Sequence, residues 1–177
     1  PWTLGYLDFD HFTLVNDTAS HAAGDALIKA VASLLGTSLY PGDRVFRIGG
    51  DEFALLFQCQ GREAELRAER VLRAVESFRT GWDGHILSTT ASIGLATLKP
   101  GQGDYAQLLS QADAACFTAK ELGGNRLCIA DQNSAALQDR TDAMQWAVRI
   151  RQALNQNLFE LHCQDIRTLG DGAGQGR

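Results

Sequence analysis

The sequence predicts an α+β domain in which helices pack on an antiparallel central sheet. Apolar runs typical of strands alternate with segments whose apolar residues recur every three or four positions, as on one face of a helix. Two adjacent strand-like runs flank a Gly-Gly pair, which predicts a hairpin. Along the chain, the predicted elements up to residue 130 follow the order β-α-β-β-α-β-α-β.

The first two elements are a strand over residues 4–9 and a helix that opens at Gly24-Asp25. The strand is predicted from a short apolar run, and the helix from apolar residues at helical spacing that continue until Gly36. Those residues are Leu27, Val31 and Leu34.

The hairpin comes next, with strands at residues 45–48 and 53–57 on either side of Gly49 and Gly50. Glycine permits turn dihedrals that other residues resist, and it has no Cβ that would keep a bulky ligand away. An amphipathic helix over residues 63–78 follows. Its apolar face contains Ala68, Leu72 and Val75.

The remaining elements are a strand, a helix and a short final strand. Residues 86–98 alternate and are rich in Thr and Ser, which predicts one long strand. Asp104 is predicted to cap a helix that runs to Leu122, where a Gly-Gly pair ends it, and residues 126–130 form the last strand. The inward face of this helix is predicted to contain Tyr105, Leu108, Ala112, Ala115 and Ala119.

Polar residues 131–134 mark a domain boundary. Beyond them we expect a helix, then a strand, and a disordered glycine-rich end at residues 170–177. A helix and one strand cannot close a core, so we expect a second domain to begin here. The apolar positions that predict these elements are Ala143, Ala147, Ile150 and Leu154 for the helix, and Phe159, Leu161 and Cys163 for the strand.

Composition limits the classes of partner. The chain is 45% hydrophobic and 21% charged, as in an ordinary soluble protein, and it has a net charge of -5. This charge argues against binding to a nucleic-acid backbone, whereas a nucleotide remains compatible because Mg²⁺ neutralises phosphates. No apolar run approaches a membrane span, and no signal peptide is present in this sequence. The four cysteines lack CxxC spacing, which favours reduced cytosolic thiols over disulfides or a zinc site.

Carboxylates follow two of the predicted strands. Asp8 and Asp10 lie at the end of the first strand, and Asp51 and Glu52 come directly after the two glycines. Carboxylates that meet in this way can hold divalent metal ions over a nucleotide. Taken alone, Asp8 and Asp10 are also compatible with a solvated turn, but the glycine hairpin favours a metal–nucleotide site.

Residues 47–53, Arg-Ile-Gly-Gly-Asp-Glu-Phe, are identical to the motif that names the GGDEF domains, the diguanylate cyclases of bacterial signalling. Three further segments resemble motifs of that family in the right order, and the resemblance covers residues 3–130. These segments are the nucleotide-binding stretch of residues 8–25, residues 92–94, and residues 112–126.

The resemblance implies a nucleotidyl-cyclase or polymerase-palm-like fold and the condensation of two GTP molecules into cyclic di-GMP by a homodimer. It implies that Mg²⁺ or Mn²⁺ is held by the carboxylates of Asp8 and Asp51 and by the carbonyl of Phe9. Asp51 also matches the position of the base for the attacking hydroxyl, with Glu52 beside it. A cytoplasmic bacterial domain is expected, with any membrane attachment lying elsewhere in a longer parent chain.

The resemblance also implies substrate contacts. Asn16 and Asp25 match the guanine-reading positions, and His21 matches a third substrate contact. A turn residue at Asn16 and a helix N-terminus at Asp25 are structural alternatives compatible with that role. The remaining substrate-binding residues expected from the motifs are Gly49, Gly50 and Lys120.

Several positions depart from the family pattern. Thr13 and Gly124 replace a Lys and an Arg that commonly reach the phosphates, and Ser20 replaces a Gly. The product-inhibition motif Arg-x-x-Asp reads Tyr-Pro-Gly-Asp at residues 40–43, and without the Arg we expect no feedback inhibition there.

We expect a GGDEF domain at residues 1–131 that lacks the family's usual N-terminal helix, a linker helix at 132–157, and the start of a truncated EAL domain at 158–177. Residues 150–166 resemble the opening of EAL domains, the cyclic di-GMP phosphodiesterases, although Asp165 stands where that family has Pro. Two hypotheses stay open: a working diguanylate cyclase, or a catalytically weak GTP-binding domain that regulates an attached EAL phosphodiesterase. A purely structural domain is disfavoured because nearly all of the binding residues are kept.

Overall fold

A nine-residue strand, β1, lies at the centre of the main sheet of the computed structural model, which describes residues 1–98 and 105–130. The described elements, in chain order, are β1 (Trp2–Asp10), α1 (Phe12–Thr18), α2 (His21–Ser38), β2 (Arg44–Arg47), β3 (Glu52–Phe57), α3 (Arg62–Ser77), β4 (Thr80–Trp82), β5 (His85–Leu87), β6 (Thr90–Leu98), α4 (Tyr105–Glu121) and β7 (Leu127–Ile129).

The main sheet has five strands in the order β2-β3-β1-β6-β7. β1 pairs antiparallel with both β3 and β6, and β2 pairs antiparallel with β3. β7 pairs parallel with β6, so the prediction of a wholly antiparallel sheet is wrong at this edge and the sheet is mixed. The reason is the connection: α4 carries the chain back along the sheet, so that β7 runs in the direction of β6. The α+β class is confirmed.

The two faces of the sheet are covered by different helices. Alternate residues of β1, including Leu7 and Phe9, point to the face on which α2 and α3 pack, and they are fully buried there. Each helix buries one apolar stripe, although in α2 the fully buried residue is Leu35, whereas the predicted Leu34 is half-buried. These stripes are Leu27, Val31 and Leu35 in α2, and Ala64, Ala68, Val71, Leu72 and Val75 in α3.

α4 packs on the opposite face and comes very close to β6. A Cβ at Gly94 would overlap the carbonyl oxygen of Ala112 and the backbone nitrogen of Cys116. Leu108 and Ala112 pack there against Ala96, in a smaller apolar cluster. This close approach places the C-terminal end of α4 beside the end of β1.

Some of the predicted boundaries are wrong. α2 begins at His21, earlier than Gly24-Asp25, because the side chain of Ser20 accepts a hydrogen bond from Ala23 N (3.1 Å) and caps the helix. The short helix α1 was missed. Its first residue, Phe12, packs on Phe9, with 5.8 Å between the ring centroids.

The single long strand predicted over residues 86–98 is divided into β5 and β6. β5 pairs with β4 in a separate two-stranded sheet, around a turn in which Asp83 and Gly84 have positive φ. Tyr105 was predicted to face inward but is 72% exposed, whereas the other four predicted positions of that helix face are buried.

Other predictions fall outside the described residues. They are the Asp104 cap, Cys163, and the helix, strand and domain assignments after residue 131. Cys59 and Cys116 are buried free thiols, as predicted, and Cys128 is free and half-buried. Within residues 1–98 and 105–130, no helix has the length and apolar character needed to cross a bilayer.

Candidate functional site

The end of β1 and the start of β3 bring the predicted acidic residues together. Asp8 lies directly opposite Glu52 in the antiparallel pair, so both side chains point to the α4 face of the sheet. The backbone nitrogen of Phe9 donates to the carbonyl oxygen of Asp51 at 3.4 Å. The four predicted metal and catalytic positions, Asp8, Phe9, Asp51 and Glu52, are therefore neighbours where these two strands pair.

Asp8 is half-buried, and its two oxygens differ. Oδ2 forms an ion pair with Lys120 Nζ at 2.7 Å, whereas the buried Oδ1 has no hydrogen-bond partner among the described residues. Burial raises the pKa of this carboxyl. Lys120 opposes the shift, and the negative charges of Asp51 and Glu52 add to it. The geometry thus leaves one buried anionic oxygen free to accept a cation.

The residues present fit a divalent cation. Asp8 Oδ1 is an orphaned buried oxygen, Asp51 adds negative charge, and Lys120 Nζ already lies 3.0 Å from the carbonyl oxygen of Phe9. The Asp8 carboxylate and the Phe9 carbonyl were both predicted to bind metal, and both already contact the positive ammonium of Lys120. In the described part of the chain, no three His, Cys, Asp or Glu side chains form a metal-binding group; the predicted set contains two carboxylates and a carbonyl.

Tyr6 extends this acidic group along β1. Burial raises the pKa of its hydroxyl, and a hydrogen bond to Glu52 raises it further. Tyr6 therefore stays protonated and can donate to the Glu52 carboxylate. This contact fixes Glu52 beside Asp8.

Gly49 and Gly50 were predicted for their turn dihedrals and for their lack of a Cβ, and neither has a positive φ. A Cβ at Gly49 would overlap the carboxylate of Glu52, whereas no atom of the described residues lies within 4 Å of a Cβ at Gly50. Arg47 closes the turn by donating to the carbonyl oxygens of Gly49 and Gly50 at 2.8–3.1 Å. Close approach and open space therefore explain these glycines better than turn dihedrals do.

The predicted guanine-reading residues lie on α1 and α2. The Asn16 side chain rests against Gly24, where a Cβ would overlap its Oδ1. Asp25 follows Gly24 directly and is exposed, as is His21, the first residue of α2. Gly24 therefore allows Asn16 to lie beside Asp25.

The structure also shows the surroundings of Thr13 and Gly124, the positions where family members commonly have a Lys and an Arg. Thr13 is exposed in the first turn of α1. Gly124 is buried with a φ of 71°, and a Cβ there would lie 3.0 Å from the carboxyl carbon of Asp10. Lys120 is the one matching cation, and it contacts Asp8.

Contacts with other parts of the chain hold the Tyr40–Asp43 segment in place. The Asp43 carboxylate is fully buried; it accepts hydrogen bonds from Arg67 (2.8 and 3.0 Å) and from Gln58 N (2.8 Å). The guanidinium groups of Arg67 and Arg70 lie 4.6 and 4.9 Å from the centroid of the Tyr40 ring. Tyr40 and Asp43 therefore connect α3 to the segment that precedes β2.

Comparison with known proteins agrees with this geometry. Residues 1–126 match the family model described as diguanylate cyclase, GGDEF domain. This chain belongs to the GGDEF domain family. It is thereby a domain of cyclic di-GMP signalling.

Two relatives and one solved structure illustrate the match. The chain is 37% identical over 142 residues to the probable diguanylate cyclase DgcE of Escherichia coli K12, covering 80% of this chain and 13% of that protein. It is 35% identical over 173 residues to the cyclic di-GMP phosphodiesterase PdeB of Shewanella oneidensis, covering 97% of this chain and 20% of that protein. The GGDEF domain of DgcB from Caulobacter crescentus, solved with c-di-GMP, superposes with a TM-score of 0.67 at 33% identity, covering 73% of this chain and 77% of that one.

The chain thus spans about a fifth or less of the length of these two relatives.

Within this GGDEF domain, sequence reasoning missed the group around Asp10. This carboxylate is buried and accepts hydrogen bonds from Thr90, Ser92 and Asn125. Ser92 and Asn125 lie in the segments that resemble family motifs, but those segments carried no sign of a shared partner. The residues that donate to Asp10 are 80 to 115 residues away from it in the chain, so only the fold shows that they contact this carboxylate.

Proposed function

We propose that this GGDEF domain binds GTP with a divalent cation, and that two copies condense two GTP molecules into cyclic di-GMP. The observation that carries the proposal is the Asp8 carboxylate: its buried Oδ1 has no hydrogen-bond partner within residues 1–98 and 105–130, and Asp51, Glu52 and Lys120 surround it. A buried anionic oxygen of this kind is stabilised by a cation.

Mg²⁺ or Mn²⁺ would be held by Asp8, Asp51 and the Phe9 carbonyl. When bound, the cation neutralises phosphate charge and acidifies the attacking hydroxyl. The chain's own residues do the rest: Lys120 supplies an ammonium beside the site, and the open space at Gly50 lets phosphate oxygens approach the backbone.

The base of the nucleotide would be read from α1 and α2. An Asp25 carboxylate can accept from the N1 and N2 donors of guanine, and the Asn16 amide can pair with the remaining polar edge. Asp25 is exposed and lies next to Gly24, on which Asn16 rests, so both can face one ligand. His21, exposed at the start of the same helix, would make the third contact.

In the condensation, the 3′-hydroxyl of one GTP attacks the α-phosphorus of the other and pyrophosphate leaves. Asp51 would accept the proton of the hydroxyl, with Glu52 beside it. Because each copy presents one GTP, the reaction needs two copies whose sites face each other. The active species would therefore be a homodimer.

A second candidate is a GTP-binding domain of low catalytic power that regulates an attached EAL domain. Thr13 and Gly124 support it because they leave Lys120 without the two cations that family members commonly place at the phosphates. Loss of one well-placed donor to a developing charge typically costs about 10²-fold or more in rate. The resemblance of residues 150–166 to an EAL opening, and the match to PdeB over 97% of the chain, support the attached domain.

The test is to incubate the full chain, and separately a longer parent chain, with GTP and Mg²⁺ and to separate the nucleotides. Cyclic di-GMP that disappears in an Asp51→Ala variant supports the cyclase. GTP binding without turnover, with faster cyclic di-GMP hydrolysis by the parent, supports the regulatory domain. Absence of GTP binding contradicts both.

Restoring the missing cations separates the candidates further. Lys at the exposed Thr13 position should be accommodated, whereas Arg at Gly124 must adopt a positive φ against Asp10. If Thr13→Lys raises cyclase activity from near zero, the native domain is a weak catalyst that binds GTP. If native activity is already substantial, the regulatory candidate is contradicted.

A further inference from the structure

Asp10 lies two residues after Asp8 on the same face of β1, yet its carboxylate is almost fully buried, with 7% of the residue exposed. Its oxygens accept hydrogen bonds from Thr90 Oγ1 (2.7 Å), Ser92 Oγ (2.7 Å) and Asn125 N (2.8 Å). These donors come from the start of β6 and from the turn after α4. The carboxylate is thus an internal tie between three segments, with both of its oxygens occupied.

The turn after α4 is shaped around this carboxylate. Gly123, Gly124 and Asn125 have φ values of 111°, 71° and 50°. Gly123 N and Gly124 N donate back to the carbonyl oxygens of Lys120 and Ala119 at 3.0 Å, which closes the end of the helix. The next nitrogen, that of Asn125, donates to Asp10. A Cβ at Gly124 would lie 3.0 Å from the Asp10 carboxyl carbon, so the turn approaches Asp10 as closely as glycine permits.

Lys120 lies in the last turn of α4, directly before this turn. Its ammonium reaches Asp8 Oδ2 at 2.7 Å and the Phe9 carbonyl oxygen at 3.0 Å. A lysine side chain is long and flexible, so the direction of its ammonium depends on where the helix end is held. Asp10 holds that helix end against the strand that carries Asp8 and Phe9.

We propose that Asp10 is a positioning residue of the nucleotide site: its carboxylate fixes the turn after α4 and thereby aims Lys120 at the cation and phosphate position. The inference rests on the proposed function. It assigns the two carboxylates that end β1 to different roles, with Asp8 meeting the ligand and Asp10 holding the group that meets it.

Asp10→Asn is the matched change, because an amide keeps the size of the side chain but has only one oxygen to accept from three donors. Mutation of a residue that orients the groups of a binding site typically weakens the affinity of that site about 10–100-fold. We therefore expect Asp10→Asn to weaken Mg²⁺·GTP binding by about tenfold or more. Asp83→Asn, the same chemical change in the exposed β4–β5 turn, should leave binding unchanged.

A double-mutant cycle separates positioning from mere stability. GTP affinity is measured by calorimetry, with Mg²⁺, for the full chain and for Asp10→Asn, Lys120→Gln and the double variant. If Asp10 acts through Lys120, the loss caused by Asp10→Asn largely disappears in the Lys120→Gln background, while the Tm falls equally in both backgrounds. An undiminished loss in that background would overturn the proposal.

A second measurement does not depend on GTP. The chain has three lysines, Lys29, Lys99 and Lys120, so lysine-selective ¹⁵N labelling yields three Nζ signals that single Lys→Arg variants assign. Asp10→Asn should shift the Lys120 signal toward that of an exposed lysine and leave Lys29 unchanged. A Lys120 signal unmoved in a folded variant would refute the positioning role. Wild-type protein that binds no GTP would contradict the proposed function alone, and this comparison would still decide the role of Asp10.

Discussion

Two carboxylates that end β1, Asp8 and Asp10, have opposite surroundings although they lie on one face of the strand. Asp8 has a buried oxygen with no partner in the described part of the chain, whereas both oxygens of Asp10 accept hydrogen bonds. A buried acceptor without a partner is a group that a water or an ion can satisfy, whereas an acceptor with partners helps to hold the fold together. At the scale of single residues, this difference separates the candidate site from its support.

A buried thiol beside the site predicts how stability depends on pH. Burial raises the pKa of Cys116 from 9.0 to about 12. Below pH 9 both the native and the unfolded chain keep this proton. Above pH 9 the unfolded chain releases it while the native chain does not, so the free energy of unfolding falls as pH rises toward 12. The loss attributable to Cys116 approaches about 4 kcal/mol at pH 12.

Urea unfolding at pH 8, 9.5 and 10.5 checks this prediction. The difference in stability between wild type and Cys116→Ala should shrink as pH rises, because the variant lacks the group that titrates. A difference that is independent of pH would show that the thiol is not protected in the native state.

The buried ion pair between Arg67 and Asp43 predicts a large loss of stability when one partner is removed. Arg67→Met would leave the Asp43 carboxylate, which is 0% exposed, without its cation. Breaking such a pair typically costs about 3–5 kcal/mol. Arg62→Ala removes exposed ion pairs on the same helix and should cost far less, because solvent screens exposed charges. Chemical denaturation of both variants measures the contrast, and equal losses would contradict a structural role for the pair.

At the scale of elements, the contact of α4 with β6 depends on Gly94. The Cβ of Gly94→Ala would meet backbone atoms of Ala112 and Cys116, which cannot rotate away as a side chain can. Overpacking of this kind typically costs about 1–3 kcal/mol. Gly36→Ala is the matched control, because it lies within α2 with nothing within 4 Å and should stabilise by about 0.5–1 kcal/mol. Thermal unfolding should therefore move in opposite directions, and a Tm unchanged by Gly94→Ala would contradict the packing.

Periodicity identified the elements that bury one clear face. The stripes of α2 and α3 and the β2–β3 hairpin were predictable because each has several apolar residues at one spacing. The helix α1 was not predictable from periodicity, since none of its seven residues is fully buried. Nor was the parallel β7, because three residues do not reveal the direction in which a strand pairs.

The candidate site was predictable for a different reason. Asp8, Asp51, Glu52 and Lys120 belong to short motifs, and the fold brings them together, while their roles stay predictions. The roles of Tyr6 and Asp10 depend on contacts between distant segments, to which no local pattern points. Two reasons were predicted for the hairpin glycines; the absence of a Cβ fits the structure at Gly49 and Gly50, whereas neither residue has a positive φ.

At the scale of the whole molecule, a reaction that joins two GTP molecules predicts dependence on protein concentration. If each copy presents one GTP, the specific activity of the full chain should rise with protein concentration while monomers predominate, and level off when dimers predominate. The rate of cyclic di-GMP formation per mole of chain, measured across a dilution series with GTP and Mg²⁺ in excess, checks this. Constant specific activity across the dissociation of the dimer, followed by light scattering, would contradict the homodimer.

The proposed function requires that the acidic group at Asp8 and Asp51 binds GTP together with a divalent cation. Calorimetric titration of GTP into the full chain, with Mg²⁺ and with excess EDTA, tests it most directly. We predict that EDTA weakens GTP binding by about tenfold or more, because an uncompensated triphosphate then faces the carboxylates of Asp8, Asp51 and Glu52. Asp8→Asn should weaken binding with Mg²⁺ by a similar factor because it removes a ligand of the cation, and Asp83→Asn should leave it unchanged. GTP binding of equal strength with and without Mg²⁺, unaffected by Asp8→Asn, would contradict the claim.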